Sequence, residues 1–255
     1  MNSENYILIA DSHIREDTAE DFFAMLDRIR SYGPGSVVFL GDIFELWIAL
    51  DGYETGIHRR FLDWCREAGK HFEVGFIVGN HEFYVTERYR DCFSWISEDS
   101  HTSADGIRFL HGDLINRSDT GYLLLRTVLR SRLTRFVLKI LSGTIGPRIS
   151  EHVRTALKPT NQQHKRQLPM RYLEEYSRLA AADRVKQIFA GHFHRYEQLD
   201  FPGGVPVTIL PAWSASGEIL CLMPDHQICC RPWRELLTMP SFDFLPTSSG
   251  RLPAG

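Results

Sequence analysis

Long apolar runs are missing from this sequence. No window approaches the roughly 18 consecutive apolar residues of a membrane-spanning helix, although 43% of the side chains are hydrophobic. Residues 1–5 lack a basic region, and the apolar stretch after them stops at Asp11, so no secretory signal peptide is predicted. We therefore expect a cytoplasmic protein whose 255 residues suffice for one sizeable core, or for a core with an insertion.

Cysteine is too sparsely placed to crosslink the chain or to bind a structural metal. The five cysteines are odd in number, and none forms a C-x-x-C pair. This pattern argues against a disulfide framework and against a thiolate zinc site. We expect reduced core thiols at all five positions: Cys65, Cys92, Cys221, Cys229 and Cys230.

Acidic residues are nearly absent from one segment, although the whole chain has a net charge of only −3. Residues 117–166 contain eleven of the 29 Lys and Arg residues but two of the 32 acids, which gives this segment +9 and the remainder −12. A strongly basic element is thus set into an acidic protein. Such an element favours an anionic partner.

The basic segment also has a helical pattern, with no strand predicted over residues 120–166. Five apolar residues are spaced to share one helical face: Leu125, Leu129, Leu133, Phe136 and Ile140. Two interpretations are open, a packed helical cap with a solvated basic rim and a surface for an anionic amphiphile. Nucleic acid is not an expected partner, because the segment has only Tyr122 and Phe136 as aromatic residues, too few for a base-stacking platform.

Five predicted strands each end in polar side chains. They are residues 6–10 before Asp11-Ser12-His13, 37–40 before Gly41-Asp42, 75–78 before Gly79-Asn80-His81-Glu82, 107–110 before His111-Gly112-Asp113, and 187–190 before Gly191-His192-Phe193-His194. Helical patterns cover residues 19–30 and 57–68, and late strands are predicted at 207–210, 218–223 and 226–231. Strands that alternate with helices indicate an α/β fold, in which ligands bind beyond the carboxyl ends of the strands.

Seven of these side chains are candidate metal ligands: Asp11, His13, Asp42, Asn80, His111, His192 and His194. Carboxylate, imidazole and amide donors without thiolate suit divalent manganese, iron or zinc. Two ions that share one carboxylate would use all seven, and a hydroxide shared between the ions could then attack phosphorus. One motif alone, such as Gly41-Asp42, is typical of an ordinary turn, but five in order after strands indicate a metal centre. The remaining histidines are expected to be surface or core residues: His58, His71, His101, His152, His164 and His226.

The ordered motifs resemble the calcineurin-like metallophosphoesterase superfamily over residues 6–213. The resemblance implies a two-sheet β-sandwich flanked by helices, with two divalent ions, most typically manganese. Asp42 would bridge the ions and, with His81, would be catalytic, while His81 would stabilise the phosphate or protonate the leaving group. The implied ligands are Asp11, His13, Asp42 and His194 for one ion, and Asp42, Asn80, His111 and His192 for the other.

The flanking residues are similar to those of UDP-2,3-diacylglucosamine diphosphatases, the lipid A enzymes that act at the inner-membrane surface. The similarity is carried by residues 41–48, by Asp119-Thr120-Gly121-Tyr122, by residues 191–195 and by Leu210-Pro211-Ala212-Trp213. It implies hydrolysis of a pyrophosphate to UMP and a lipid 1-phosphate, with a helical insertion that caps the acyl chains. Implied substrate contacts are Asp119, Tyr122, Lys165 and Arg195. For Asp119 and Tyr122, a helix N-cap and a packed aromatic remain the alternative.

The sequence departs from that narrower pattern at the residues after Asn80. The lipid A enzymes typically have Asn-Arg-Asp-Phe where this chain has Asn80-His81-Glu82-Phe83, the choice of the wider superfamily. In addition, Ser12 replaces a usual leucine, and the late lysines of the insertion are matched loosely by Lys158 and Lys165. A second hypothesis is therefore a soluble phosphodiesterase or phosphatase that acts on nucleotides or phosphoproteins. A catalytically silent scaffold is not expected, since none of the seven ligands is missing.

The expected organisation is a metallophosphoesterase core at residues 1–118 and 168–238, interrupted by a basic, apolar helical cap insertion at 119–167. Residues 239–255, rich in Pro, Ser and Gly, are predicted to be a disordered tail. No obligate protein partner is inferred. All seven candidate ligands lie outside the insertion, so we expect the metal ions to assemble without it.

Overall fold

The computed structural model describes residues 5–141, 149, 152–153, 155 and 168–238. Within them the strands are β1 (Tyr6–Ile9), β2 (Ser36–Phe39), β3 (Trp47–Ile48), β4 (Glu73–Ile77), β5 (Glu82–Phe83), β6 (Trp95–Ser97), β7 (Ser100–Thr102), β8 (Ile107–Leu110), β9 (Gln187–Ala190), β10 (Glu197–Leu199), β11 (Val207–Ile209), β12 (Glu218–Leu222) and β13 (Ile228–Pro232). The helices are α1 (Ala19–Tyr32), α2 (Gly56–Ala68), α3 (Val85–Tyr89), α4 (Thr120–Leu129), α5 (Arg132–Leu141), α6 (Met170–Ala182), α7 (Trp213–Ser216) and α8 (Trp233–Leu236), with a 3₁₀ turn at Arg90–Cys92.

Two sheets form the centre of the molecule. The first has the order β13-β12-β1-β2-β4-β6, and the second has the order β10-β11-β9-β8-β7. β1, β2, β4 and β6 are parallel to one another in the first sheet, as are β8, β9 and β11 in the second. The antiparallel pairings are those of β12 with β1 and β13 in the first sheet, and those of the edge strands β10 and β7 in the second. Because parallel strands end at the same edge of a sheet, the loops after β1, β2, β4, β8 and β9 can meet there.

Alternating side chains place a helical layer on each side of the sheets. In β1, Tyr6 and Leu8 pack between the sheets with Phe109 of β8. Ile7 and Ile9 point to the opposite face, into the cluster that contains residues of α1 and α2. This period of two is what a strand buried on both faces requires. The outer face of the second sheet packs against α6 in a third cluster. The predicted α/β/β/α sandwich is confirmed.

In the basic insertion, α4 and α5 are separate helices and do not form one continuous apolar face. α4 ends at Leu129, and the Ser131 side chain accepts a hydrogen bond from the Thr134 backbone N–H at 3.1 Å, an N-cap that begins α5. Leu129 packs partly buried against the core, whereas Leu133 and Phe136 are 72% and 61% exposed. The prediction that all five apolar residues share one face is therefore wrong.

Further expectations concern the cysteines, membrane-spanning helices and the C-terminal tail. All five cysteines are free thiols, and three of them are buried. Within the described ranges, no helix is long and apolar enough to cross a membrane. Lys158, Lys165 and the predicted disordered tail lie outside the described residues.

Candidate metal centre

The predicted ligands that follow β1 and β9 have unusual backbone conformations. Asp11 and His13 have φ values of 51° and 42°, while His192 and His194 have φ values of 70° and 54°. Asp42, after β2, has a φ of 54°. Non-glycine residues rarely adopt this left-handed region, and clusters of them mark functional sites where the surrounding structure holds the strain. Five of the seven candidate ligands thus stand on strained backbone.

Two glycines allow the loop carrying Asp42 to approach the loop that follows β4. A Cβ at Gly79 would lie 2.3 Å from Asp42 Oδ1. At Gly41, which has a φ of +84°, a Cβ would lie 2.7 Å from both the Gly79 backbone and His111 Nδ1. Only glycine fits at such close backbone approaches. The two loops can therefore place Asp42 beside Asn80 and His111.

All seven predicted ligands are brought together by a chain of close polar contacts. Asp11 Oδ1 lies 3.2 Å from His194 Nε2, which is 3.3 Å from His13 Nε2. Asp42 Oδ2 lies 3.9 Å from His13 Nε2 and 3.6 Å from His111 Nε2. Asn80 Oδ1 completes the chain at 3.0 Å from both His111 Nε2 and His192 Nδ1. The cluster includes two groups of carboxylate and imidazole donors, Asp11 with His13 and His194, and Asp11 with Asp42 and His111, whose donor atoms lie within 4.8 Å of one another.

The cluster is closed on one side and open on the other. Asp42 and His111 each expose 1% of their side chains, whereas His13 and His194 expose 15% and 13%. The open side of the cluster is therefore the side of His13 and His194.

The electrostatics favour positive charge at Asp42. Burial raises the pKa of the Asp42 carboxyl, but the imidazoles of His81 and His111 outweigh burial and hold that pKa well below its usual range. Burial lowers the pKa of His111, yet the Asp42 carboxylate reverses this effect and raises it to about 10. Burial lowers the pKa of His13 to about 3 and that of His192 to about 4. These two rings are neutral near pH 7, which is the form of histidine that binds metals.

His81 is held at the edge of the cluster. Its Nδ1 lies 2.6 Å from the backbone carbonyl of Glu45, and a hydrogen bond there places the ring proton on Nδ1. Its Nε2 lies 3.8 Å from Asp42 Oδ2. The His81 backbone N–H donates to Asp42 Oδ1 at 2.8 Å. His81 and Asp42 are therefore positioned by one another.

Glu82 was not predicted as a site residue, although it belongs to the same motif. It is fully buried, and its carboxylate accepts hydrogen bonds from Ile43 N–H at 2.8 Å and Gly79 N–H at 2.6 Å. Burial, together with the Asp42 carboxylate, raises the pKa of Glu82 to about 8. Glu82 thus joins the loop after β2 to the loop after β4.

Three of the four predicted substrate contacts lie within the described residues. The Asp119 carboxylate accepts a hydrogen bond from the Tyr122 N–H at 2.9 Å at the start of α4, which confirms the N-cap alternative. Tyr122 is 7% exposed, and its hydroxyl donates to the Asp113 carboxylate. Arg195 is half-buried and lies 3.4 Å from Glu197, and Lys165 lies outside the described residues. A role for any of the four in binding substrate stays a prediction.

Comparison with known proteins places the chain in a family. The family described as calcineurin-like phosphoesterase matches residues 5–196. The UDP-2,3-diacylglucosamine hydrolase of Pseudomonas fluorescens (strain SBW25) is 26% identical over 196 residues, which cover 74% of this chain and 78% of that protein. The protein of the same description from Pseudomonas savastanoi pv. phaseolicola (strain 1448A / Race 6) is 25% identical over 259 residues, covering 96% of this chain and 99% of that protein.

The similarity to solved structures is lower. A protein of Streptococcus pneumoniae TIGR4, described as a predicted phosphoesterase, is 12% identical with a TM-score of 0.42, covering 91% of this chain and 99% of that one. Both resemblances predicted from the motifs are confirmed, because the family match spans more than half of the chain and the curated relatives carry the narrower description. The chain belongs to the calcineurin-like phosphoesterase family and is a metal-dependent hydrolase of phosphate esters or pyrophosphates.

Proposed function

We propose that this enzyme hydrolyses the pyrophosphate of a UDP-diacylglucosamine-like lipid to UMP and a lipid 1-phosphate, with two divalent ions held by the seven clustered side chains. Asp42 would be shared between the two ions. One ion would be held by Asp11, His13 and His194 together with Asp42, and the other by Asn80, His111 and His192 together with Asp42. Manganese is the expected ion, with iron and zinc as alternatives.

The residues present fit such ions. Asp11 Oδ1 is buried without a hydrogen-bond partner, although His194 Nε2 lies only 3.2 Å away. Two lone-pair atoms that face one another without a hydrogen bond are suitably placed to bind the same cation. The Asp42 carboxylate likewise has imidazole nitrogens around it at 3.6 to 3.9 Å, too far for hydrogen bonds. When bound, two ions supply positive charge to the phosphoryl group and lower the pKa of water.

The chain's own residues would orient the substrate and handle the leaving group. His81, whose Nδ1 is engaged by the Glu45 carbonyl, presents Nε2 to the cluster. That atom can donate a hydrogen bond to a phosphate oxygen, or a proton to the departing oxygen, when the ring is protonated. The buried Asp42 and His111 exclude water from the far side of the site. Phosphorus would therefore be approached only from the open side, at His13 and His194.

The observation that best supports a lipid substrate is the exposed apolar side of α5. Leu133, Phe136 and Ile140, at helical spacing, are 72%, 61% and 66% exposed. On the same helix Arg132 and Lys139 are exposed, whereas Arg135 is half-buried and lies 3.6 Å from Glu87. Exposed apolar surface rimmed by positive charge suits an acyl chain with an anionic head group, and also the anionic surface of the inner membrane. The descriptions of the curated relatives agree with this substrate.

One observation favours the second candidate, a soluble enzyme acting on nucleotides or phosphoproteins. The cluster contains His81, where the lipid A enzymes typically have an arginine, and His81 Nε2 faces Asp42 at 3.8 Å. The centre is therefore chemically that of the general superfamily. In this view α5 would be a cap unrelated to the substrate.

A substrate panel separates the two candidates. The full chain, loaded with Mn²⁺, is assayed with UDP-2,3-diacylglucosamine, UDP-N-acetylglucosamine and bis-p-nitrophenyl phosphate, and products are identified by mass spectrometry. We expect the highest kcat/KM for the diacylated compound, with UMP and lipid 1-phosphate as products and no turnover after chelation. A higher kcat/KM for the unacylated nucleotide would reject the lipid substrate, and turnover that survives chelation would reject the metal centre.

A further inference from the structure

Arg126 of α4 and Arg130, the residue that follows α4, point into the molecule rather than to solvent. Arg126 and Arg130 are one helical turn apart, and their side chains are 16% and 13% exposed. Their neighbour Arg132, at the start of α5, is exposed. The basic segment is therefore not uniformly a solvated rim. A long cationic side chain is rarely buried unless it is paired.

Arg130 joins the two ends of the loop that carries Asn80 and His81. Its Nη2 donates to the backbone carbonyl of Gly79 at 2.7 Å and to that of Glu82 at 3.0 Å. These carbonyls flank Asn80 and His81. A planar guanidinium has several donors in fixed directions, so one group can set the separation of two acceptors.

A carboxylate also holds the Arg130 guanidinium in place. Its Nη1 donates to the Glu98 carboxylate, in the turn between β6 and β7. Glu98 also accepts a hydrogen bond from the Thr86 hydroxyl at 2.6 Å. Charge-assisted hydrogen bonds of this kind are strong and directional. Arg130 is thus anchored on the core at the same time as it holds the ligand loop.

A second contact extends the arrangement to the loop after β8. Arg126 Nε donates to Asp113 Oδ2 at 3.0 Å, and Asp113 is two residues after His111. Arg126 Nη2 also donates to the backbone carbonyl of Glu98 at 3.0 Å. The ligand loops after β4 and β8 are therefore both tied to the insertion, through Arg130 and Arg126.

We propose that Arg130 is a positioning residue that sets the place of Asn80 and His81, so that the insertion helps to build one half of the metal centre. The inference rests on the proposed metal centre, in which Asn80 binds one of the two ions. It revises the expectation that the ions assemble independently of the insertion. The half that holds Asp11, His13 and His194 has no described contact with Arg130 and should be affected less.

The test measures Mn²⁺ binding to metal-free full-length protein by calorimetry, beside the melting temperature of the same samples. Arg130→Met should weaken binding at one of two sites by about 10–100-fold, the usual effect of removing a group that orients a ligand. Arg132→Met, which removes an exposed charge from the same segment, should leave both sites unchanged. A purely structural role would lower the melting temperature of Arg130→Met with both affinities intact, and that result would overturn the proposal.

Two further variants keep the outcome decisive. Arg130→Lys retains the buried charge beside Glu98 and is used if the methionine variant does not fold. Lysine lacks the rigid planar arrangement of donors that arginine has, so weaker binding at one site is again expected, and wild-type affinity at both would overturn the proposal. Asn80→Ala tests the metal centre itself. If Asn80→Ala binds two ions normally, the proposed centre fails; if it weakens one site while the Arg130 variants do not, the positioning role alone fails.

Discussion

Asp42 and His111 are each 1% exposed at the centre of the ligand cluster, whereas Leu133 and Phe136 on α5 are 72% and 61% exposed. The ligand loops are held on strained backbone by close glycines and by hydrogen bonds from neighbouring loops. Leu133, Phe136 and Ile140 of α5 face outward, while Leu138 packs into the core. This contrast indicates a division of tasks in which the core fixes the reacting groups and α5 offers adaptable surface to the substrate. Arg126 of α4 and Arg130, which follows it, contact the ligand loops directly.

The largest expected effect comes from a substitution in the ligand cluster itself. Asp42→Ala should lower turnover of every substrate by more than the roughly 10²–10⁴-fold that the loss of one proton-transfer group costs, because a shared carboxylate organises both ions. Metal content and turnover are measured on the same sample. Asp63→Ala, which removes a surface carboxylate paired with Arg66, is the control and should be neutral. Two retained ions with normal turnover in Asp42→Ala would contradict the bridging role.

A somewhat smaller effect is expected at His81, at the edge of the cluster. Removal of a proton-transfer group typically costs roughly 10²–10⁴-fold in rate, so His81→Ala should fall in that range. Arginine can neutralise phosphate charge but cannot donate a proton near neutral pH. If His81 stabilises charge, as the arginine of the similar lipid A enzymes implies, His81→Arg should retain far more activity than His81→Ala. Equal losses of kcat in the two variants would indicate proton transfer instead.

The smallest effect concerns Asp119, at the junction of core and insertion. Removing its N-cap in Asp119→Ala should lower the free energy of unfolding by about 0.5–2 kcal/mol. Asp119→Asn is a matched control, because asparagine caps a helix equally well but lacks the charge. A raised KM for the UDP-sugar in both variants, with stability lost only in the alanine variant, would assign substrate contact to the carboxylate. An unchanged KM in both would leave the cap as its function.

The fold could be predicted because its strongest signals are local. The α1 helix was expected over residues 19–30 and spans Ala19–Tyr32, while α2 was expected over 57–68 and spans Gly56–Ala68. The five strands before the polar motifs are present as well. The two-residue strands β3 and β5 were missed, because so short a segment shows no periodicity.

The side chains of the candidate centre could be predicted from the sequence, but the contacts that hold them in place could not. Polar residues after strands identified all seven clustered side chains, since strand ends converge in such sheets. The inward direction of Arg126 and Arg130 depends on what α4 packs against, and no local pattern encodes that. The break between α4 and α5 did have a signal, Ser131 three residues before Thr134, which is an N-cap spacing. This spacing predicts a helix boundary between Leu129 and Leu133.

The most direct test of the division between core and cap compares two substrates on one variant. Leu133, Phe136 and Ile140 are replaced together by serine, which spares the half-buried Leu125 and Leu129. Each buried methylene contributes about 0.8 kcal/mol, so kcat/KM for UDP-2,3-diacylglucosamine should fall about tenfold or more, since about 1.4 kcal/mol is a factor of ten.

Bis-p-nitrophenyl phosphate should still be cut at the wild-type rate by the same folded, Mn²⁺-loaded preparation. An unchanged kcat/KM for the diacylated substrate would contradict acyl binding by α5 and favour the soluble enzyme. An equal fall for both substrates, with the ions still bound, would contradict the division itself.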